Sequence, residues 1–155
     1  MPKLKSRRKP RVFIVYGHDP IKANLAAFLR QLDLEPVLLC HQPREGRTLI
    51  EQVDHHLRLA DFAIVLLTGD DEANRIGHAD ERKPRARQNV VLELGMALGL
   101  VGRRRVLILY RRGVELPSDL QGLHYVEIGN LGDAKLRIVA ELKAAGINVD
   151  ANKAF

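Results

Sequence analysis

The chain has 155 residues, enough for one domain that buries a core without disulfide bonds. A single cysteine, Cys40, excludes a disulfide framework, and no apolar run approaches the length of a membrane span, so a reducing cytoplasm is the expected location. The net charge of +6 comes from the first eleven residues, which hold six of the 25 basic residues and no acidic residue. The rest of the chain is balanced, with 19 basic and 19 acidic residues.

The basic start of the chain predicts a solvated, disordered arm over residues 1–10. One domain is then expected over residues 11–152, with a short tail over residues 153–155. The arm has no aromatic side chain that would stack on a base, which argues against nucleic-acid binding. No long apolar region follows the positive charges, which excludes a secretory signal.

Strand and helix patterns alternate from the start of the domain. The apolar run over residues 12–16 predicts a strand, and Asp19 followed by Pro20 has the pattern of a helix N-cap with proline at the first helical position. The helix that follows has one apolar face, and residues 36–40 form the next β-rich run. Cys40 ends this run and is predicted to be an inert strand-end residue.

A polar loop over residues 42–47 precedes a second helix. Thr48 and Glu51 have the spacing of a capping box, which predicts a helix that ends near residue 59. The continuous apolar run over residues 62–67 is typical of the central strand of a parallel sheet.

The second half of the chain continues the alternation. Residues 69–85 are rich in charge, glycine and proline and predict a long loop, which in a compact domain is often functional. A helix follows, and the apolar runs over residues 106–110 and 125–128 predict the last two strands. The final helix is expected to end at Gly146, in the role of a C-cap.

This alternation predicts an α/β fold with a five-stranded, mostly parallel sheet and helices on both faces. Among the orders that such a sheet can have, we choose the flavodoxin-like 2-1-3-4-5. In that order the topological switch point lies between strands 1 and 3, so a ligand is expected beyond the carboxyl ends of these strands. This rule selects Tyr16, Gly17, His18 and Asp19 after strand 1 and Thr68, Gly69, Asp70 and Asp71 after strand 3. The loop from Pro43 to Arg47 after strand 2 lies beside them.

One acidic residue interrupts the most apolar helix of the chain. Val90, Leu94 and Ala97 belong to the apolar stripe of this helix, Glu93 lies at the edge of the stripe, and Asn89 lies one turn earlier. A carboxylate beside an apolar face costs free energy unless it is paired, solvated in a cleft or used in chemistry. The segment alone favours an ordinary boundary glutamate bound to an arginine, and a catalytic carboxylate is the alternative.

Four segments together resemble a known family. They are residues 12–19, residues 42–48, Leu66-Leu67-Thr68, and the run from Lys83 through Arg85-Ala86-Arg87-Gln88-Asn89 to Glu93-Leu94-Gly95. They are similar to bacterial TIR-like domains of cyclic-nucleotide-triggered anti-phage effectors, the TIR modules of the Pycsar and TIR–STING type. The similarity extends from about residue 11 to residue 152 and includes Leu116-Pro117-Ser118-Asp119-Leu120.

The resemblance implies a TIR fold and an NAD+ nucleosidase that cleaves the nicotinamide–ribose bond and depletes NAD in anti-phage defence. Glu93 matches the catalytic acid of the family, and the resemblance implies no metal and no cofactor, with NAD+ as substrate. Residues 43–46 match a mobile loop that often completes the site across an oligomer interface, so a homo-oligomer is expected. A cyclic-nucleotide sensor is expected as a domain or partner outside this chain.

The residue types near the predicted cleft suit the parts of NAD+. Its pyrophosphate suits arginine better than lysine, and the nearest basic residues are Arg44, Arg47, Lys83, Arg85 and Arg87. Tyr16 and His18 would pack against a ring, although a strand-end core position for Tyr16 and a turn position for His18 are equal alternatives. The candidate substrate-binding residues are Tyr16, Gly17, His18, Asp19, Pro43, Arg44, Gly46, Arg47, Thr68, Arg87 and Asn89.

Two other functions fit parts of the pattern. A phosphorylated receiver domain shares the strand order, but it needs an aspartate at the end of strand 3, where Thr68 stands, and a lysine after strand 5, where Gly129 stands. A catalytically silent TIR scaffold or nucleotide-binding signalling module remains open as the alternative to an enzyme.

Two residue pairs outside the cleft have their own predictions. His55 and His56 are adjacent and do not share a helix face, which predicts surface residues and not a metal-binding pair. Leu92 and Met96 lie opposite the apolar stripe of their helix, which predicts a self-association surface.

Overall fold

The computed structural model describes residues 8–120 and 122–155. Most of the predicted arm, residues 1–7, lies outside the described residues. Strands and helices alternate from residue 11 to residue 67, as the sequence predicts. The elements are β1 (Arg11–Val15), α1 (Ile21–Gln31), β2 (Glu35–Val37), α2 (Leu49–Leu59), β3 (Phe62–Leu67), β4 (Asp71–Ala73), β5 (Lys83–Arg85), α3 (Gln88–Leu100), β6 (Val106–Tyr110), β7 (Tyr125–Glu127) and α4 (Leu131–Ala144).

Five strands form one parallel sheet in the order β2-β1-β3-β6-β7. The other two strands, β4 and β5, pair with each other as an antiparallel hairpin between β3 and α3. Because the hairpin takes two numbers, the labels differ in detail from the predicted 2-1-3-4-5. Counted along the chain, the five sheet strands have the predicted order, and the flavodoxin-like α/β fold is confirmed.

Side chains alternate along every strand, so the apolar strands have two apolar faces. Two helices cover each face. Val12 and Ile14 of β1 pack with α1 and α4 in one apolar cluster, whereas Phe13 and Val15 pack with α2 and α3 in the other. All six residues of β3 are buried, as expected for the central strand. The core is therefore two apolar layers separated by the sheet.

The helix ends largely follow the sequence signals. At the capping box of α2, the Thr48 N–H donates to Glu51 Oε2 at 2.8 Å and the Glu51 N–H donates to Thr48 Oγ1 at 3.4 Å. Gly146 follows α4 with a φ of +82°, a conformation that favours glycine. Helix α1 begins at Ile21, one residue later than predicted, and Pro20 directly precedes it. Asp19 still accepts from the Ile21 N–H at 2.9 Å.

The prediction that Cys40 ends a strand is wrong. β2 ends at Val37, and Leu39–His41 forms a turn of 3₁₀ helix in which Cys40 is exposed. The Cys40 N–H donates to the Tyr16 hydroxyl at 3.3 Å, so it takes no part in the sheet ladder. Leu38 lies beyond β2 but is buried, which explains why the apolar run of residues 37–39 extends past the end of the strand.

The prediction that residues 69–85 form only a loop is also wrong. Residues 71–73 pair with residues 83–85, and Ala79–Glu81 forms a turn of 3₁₀ helix within the connection. Both hairpin strands are short and mostly exposed, so they lack the apolar alternation by which a strand is recognised. Pro84 is compatible with β5 because the hairpin has only edge strands.

Ordered contacts extend past both predicted domain boundaries. Arg8 forms an ion pair with Asp61 at 2.9 Å, on the N-terminal side of residue 11. Ala154 lies in the predicted tail, yet it is buried in the turn of 3₁₀ helix at Ala151–Ala154. The chain thus packs against the domain from residue 8 to residue 154.

The stability of the fold depends on the buried face of α3. Leu94→Ala, at a side chain that is 1% exposed, should lower the free energy of unfolding by about 2–5 kcal/mol, because it leaves a cavity against the sheet. Leu92→Ala on the same helix, at a position that is 56% exposed, should change it by less than about 0.5 kcal/mol. Urea unfolding followed by circular dichroism measures both, and equal losses would contradict this packing.

Candidate functional site

The loops after β1 and β3 are joined through one carboxylate at the carboxyl edge of the sheet. Asp70 Oδ2 accepts from the His18 N–H at 3.2 Å and from the buried Thr68 hydroxyl at 3.0 Å. Gly17 passes directly over this carboxylate, since a Cβ on Gly17 would lie 1.8 Å from Asp70 Oδ2. A side chain at Gly17 would therefore displace the Asp70 carboxylate from its hydrogen bonds with Thr68 and His18.

Glu93 lies half-buried on α3, on the flank that faces these loops. Burial raises its pKa from the ordinary 4.5 to about 7, and the nearby Arg87 guanidinium partly opposes this rise. Within the described residues Glu93 has no hydrogen bond and no ion pair. The interpretation of Glu93 as a boundary glutamate bound to an arginine is thus wrong, because Arg87 acts on it only at longer range.

Arg87 and His18 connect α3 to the loop after β1. Arg87 Nη1 lies 3.1 Å from His18 Nε2, so this ring nitrogen accepts the hydrogen bond from the guanidinium. The His18 side chain is exposed at the edge of the site. Two of the predicted substrate-binding residues are therefore in direct contact, next to the predicted catalytic carboxylate.

Tyr16 lies deeper in the same region. Burial is the main cause that raises the pKa of Tyr16 to about 12, and the Glu93 carboxylate makes a smaller contribution in the same direction. This places the two groups within electrostatic range of each other. The Lys22 ammonium lies 4.4 Å from the centre of the Tyr16 ring, and the hydroxyl accepts from the Cys40 N–H. The strand-end alternative describes this partly buried tyrosine better than an open ring-binding surface does.

Asp19 is held by a residue that the sequence analysis did not select. Arg111, directly after β6, donates from Nε and Nη2 to the two carboxylate oxygens of Asp19 at 2.8 Å and 3.1 Å. The hydrogen bonds from Arg111 are the main cause that keeps the pKa of Asp19 below its ordinary range. Arg111 also donates to the Gly129 carbonyl, so it joins the loops after β1, β6 and β7. Its position at the end of a sheet strand is the sequence signal that would have found it.

The loop after β2 is anchored from below by a buried glutamine. Gln52 is 1% exposed and donates from Nε2 to the Pro43 carbonyl at 2.7 Å. Its Oε1 contacts His56 Nε2 at 3.1 Å, and the His56 ring stacks on Phe13 of β1. The prediction that His56 is a surface residue is therefore wrong, because it belongs to the core face of α2.

The predicted phosphate-binding residues of this loop differ in their surroundings. Arg47 is paired with Glu45 of the same loop at 2.8 Å, whereas Arg44 is exposed. Glu45 and Gly46 both have positive φ, which makes a sharp turn at the tip. A groove of about 610 Å³ separates this loop and α2 from Met96, which follows Glu93 by one turn of α3.

The described residues contain no cluster of three or more histidine, cysteine, aspartate or glutamate side chains that would hold a metal ion. Within the same ranges, no helix is long and apolar enough to cross a bilayer. The arrangement is thus a group of polar side chains at the switch point of an α/β sheet, with one carboxylate of raised pKa and the Arg87 guanidinium near it.

These features define the class of protein as a flavodoxin-like α/β domain with polar side chains gathered at the carboxyl edge of its sheet. Residues 11–130 match the family model described as "CAP12/Pycsar effector protein, TIR domain". The chain belongs to this family, which confirms the resemblance found in the sequence.

Two relatives are similar over most of this chain. The protein YuaY of Escherichia coli K12, described as uncharacterized, is 39% identical over 146 residues, which is 94% of this chain and 48% of that protein. The Pycsar effector protein BcPycTIR of Burkholderia cepacia is 31% identical over 124 residues, which is 76% of this chain and 39% of that protein. The chain thus spans half or less of the length of these relatives.

A solved structure supports the same fold. The CMP N-glycosidase BcmB of Clostridium botulinum superposes with a TM-score of 0.57, over 83% of this chain and 98% of that chain. The sequence identity is 13%, so the likeness concerns the arrangement of strands and helices.

The raised pKa of Glu93 has a consequence for stability. The folded chain binds the proton of Glu93 more tightly than the unfolded chain, so ionisation lowers the free energy of unfolding as the pH rises from about 4.5 to about 7. Glu93→Gln removes this effect and should gain stability relative to the unmodified chain over that range. Urea unfolding at about pH 4 and about pH 8 measures the difference, with Glu72→Gln as the control for a lost exposed carboxylate. A difference that is independent of pH would contradict the assignment.

Proposed function

We propose that this chain is an NAD+ nucleosidase that cleaves the bond between nicotinamide and ribose. The observation that carries the proposal is the Glu93 carboxylate, half-buried, without an ion pair among the described residues and with a pKa of about 7. Membership of the CAP12/Pycsar TIR family and the fold shared with a CMP N-glycosidase agree with cleavage of an N-glycosidic bond. In a cell this reaction would deplete NAD in anti-phage defence, with the cytoplasm as the site of action.

The chemistry needs an anion more than a proton donor. Nicotinamide leaves as a neutral molecule, and positive charge develops on the ribose ring as the bond breaks. A fixed carboxylate in a site with little water stabilises that oxocarbenium-like state more strongly than water does. Glu93 in its ionised form has this role, and its partial desolvation strengthens the interaction.

The remaining candidates divide by the part of NAD+ that they would contact. Arg87, next to Glu93, and Arg44, on the loop after β2, would contact the pyrophosphate. One guanidinium group can donate hydrogen bonds to two phosphate oxygens. His18 is exposed beside Arg87 and would pack against a ring of the substrate. Asn89, one turn before Glu93 and exposed, would hydrogen-bond the ribose hydroxyls. NAD+ is the substrate in this proposal, and the reaction requires no metal and no further cofactor.

Activity is proposed to depend on assembly and on a signal from outside this chain. Leu92 is 56% exposed on the face of α3 that turns away from the sheet, where apolar side chains are expected to associate. The relatives are about twice as long as this chain or longer, which leaves room in them for a cyclic-nucleotide sensor.

A nicotinamide-release assay tests the reaction. The purified chain, alone and as a fusion to an oligomerising domain, should release nicotinamide from NAD+. Glu93→Gln should lower kcat/KM by about 100-fold or more, because the developing charge loses its counter-charge. In the unmodified chain, kcat/KM should rise as the pH increases through about 7, where Glu93 ionises.

Glu72→Gln replaces an exposed carboxylate on the β4–β5 hairpin by a carboxamide. It is the control and should keep the activity of the unmodified chain. Full activity of a folded Glu93→Gln variant would exclude the proposed role. No release from either the monomer or the fusion would favour the alternative, a catalytically silent TIR scaffold or nucleotide-binding module.

The assembly surface has its own test. Leu92→Glu should reduce both the mass measured by light scattering and the rate of nicotinamide release, because it places a charge in the proposed contact. Leu136→Glu is the matched control, since Leu136 is 58% exposed on α4, on the opposite face of the sheet. A folded Leu92→Glu variant with unchanged mass would contradict the proposed surface.

A further inference from the structure

An open cavity lies on the flank of α3 opposite to Glu93. It has a volume of about 900 Å³ and is lined by the β4–β5 hairpin, the first turns of α3 and the connection between β6 and β7. Gln88 and Val91 of α3 line it, whereas Glu93 and Arg87 do not. On a helix, Val91 and Glu93 lie on opposite sides of the buried stripe that contains Val90 and Leu94. The cavity is therefore separate from the proposed NAD+ cleft.

The walls of this cavity are held by backbone contacts between three elements. The Glu115 N–H donates to the Pro84 carbonyl at 2.8 Å, and Arg85 forms a parallel bridge with Glu115. On the other face of β5, Pro84 packs closely on Gly69, where a Cβ would lie 2.9 Å from the proline ring. The hairpin is thus fixed to the sheet on one side and forms the cavity wall on the other.

Two cations without acidic partners face the cavity. Lys83 and Arg85 lie two residues apart on β5, so both side chains are on the face that lines the cavity. Among the described residues neither has an ion pair, and the Nε of Arg85 is buried without a hydrogen-bond partner. Arg75 also lines the cavity, but it is neutralised by Glu81 at 2.9 Å.

The charged side chains that line the cavity have a net positive charge. Glu115 lines the cavity and, after the pairing of Arg75 with Glu81, is the remaining acid among its described lining residues. Lys83 and Arg85 therefore outnumber it by one charge. A buried guanidinium nitrogen without an acceptor is costly, because its desolvation is not repaid by a hydrogen bond. This nitrogen has no accessible surface, so a ligand in the cavity would be met by the terminal guanidinium nitrogens of Arg85.

The rest of the lining combines apolar side chains, which suit a ring, with a few polar groups. Leu116 and Pro117 from the β6–β7 connection and Val91 from α3 provide flat apolar surface, and Asn74 and Ser118 provide hydrogen-bonding groups. The volume lies within the range of about 300–1,000 Å³ that is typical of small-molecule sites. One anionic group and one apolar ring are thus the two features that the cavity recognises.

We propose that this cavity is a second binding site, for a small phosphate ester that carries a ring, of the nucleoside monophosphate class. The phosphate contacts Arg85 and Lys83, with the guanidinium donating to two phosphate oxygens. The ring lies between Val91 and the Leu116-Pro117 wall. This site goes beyond the NAD+ reaction and does not depend on it.

Titration with AMP, followed by ¹H–¹⁵N NMR spectra of the chain, tests the proposal. Amide shifts should occur in residues 73–75, 83–88 and 115–118, and not in residues 16–19. Arg85→Ala should weaken AMP binding by about tenfold or more through loss of the charge-assisted bonds. Lys83→Ala should weaken it less, because lysine lacks the paired donors. Val91→Trp, which fills the cavity from a half-exposed position, should also weaken AMP binding.

Three controls establish that AMP binds in this cavity and through its phosphate. Arg112→Ala, at a side chain that is 91% exposed and outside the cavity, should leave AMP binding unchanged. Glu93→Gln should also leave it unchanged, whether or not the chain cleaves NAD+. Adenosine should bind more weakly than AMP, and inorganic phosphate should compete with AMP.

Some results would overturn the proposal. They are the absence of AMP binding at millimolar concentration, AMP shifts confined to residues 16–19 and Glu93, or equal binding of AMP by the unmodified chain and by a folded Arg85→Ala variant. Amide spectra of each variant establish that it is folded before the affinities are compared.

Discussion

The burial of β3 on both faces is the constraint from which the rest of the structure follows. All six of its residues are removed from water, and its two neighbours are parallel strands. A parallel neighbour requires a crossover, and a right-handed crossover places its helix on one face of the sheet. Each face then receives two helices, and the carboxyl ends of the strands meet at one edge. Because helices cover both faces, the polar groups that follow the strands lie together at this edge, around Glu93.

The position of Glu93 is a compromise between packing and charge. Val90, Leu94 and Ala97 must face the sheet, which leaves Glu93 at the border of the apolar layer. A close ion pair with Arg87 would favour the ionised form and lower the pKa. The structure instead directs Arg87 to His18, so that the carboxylate is partly desolvated but not neutralised. Helix packing thus maintains a carboxylate in a state that an isolated helix in water would not favour.

The sequence predicts the parts of the fold that depend on local chemistry. The alternation of apolar runs predicts the α/β class, the chosen flavodoxin-like order is correct, and Thr48 with Glu51 predicts the start of α2. Glu93 was visible as an acid beside an apolar stripe. The β4–β5 hairpin was not predictable, because its strands are short and polar and pair only across a connection. The ion pair of Arg111 with Asp19 joins residues 92 positions apart, and only the sheet order brings them together. The same holds for the cavity beside Arg85, whose walls come from three separate segments.

The amide of Gln52 has a fixed orientation, and this orientation determines which ring nitrogen of His56 carries the proton. Its nitrogen donates to the Pro43 carbonyl, so its oxygen is the atom that faces His56, and His56 must carry its proton on Nε2. The other ring nitrogen, Nδ1, is then a bare lone pair enclosed by protein. The tautomer of a core histidine is therefore set by the backbone of a surface loop. The Pro43 carbonyl is thus connected to β1 through Gln52 and the His56 ring that stacks on Phe13.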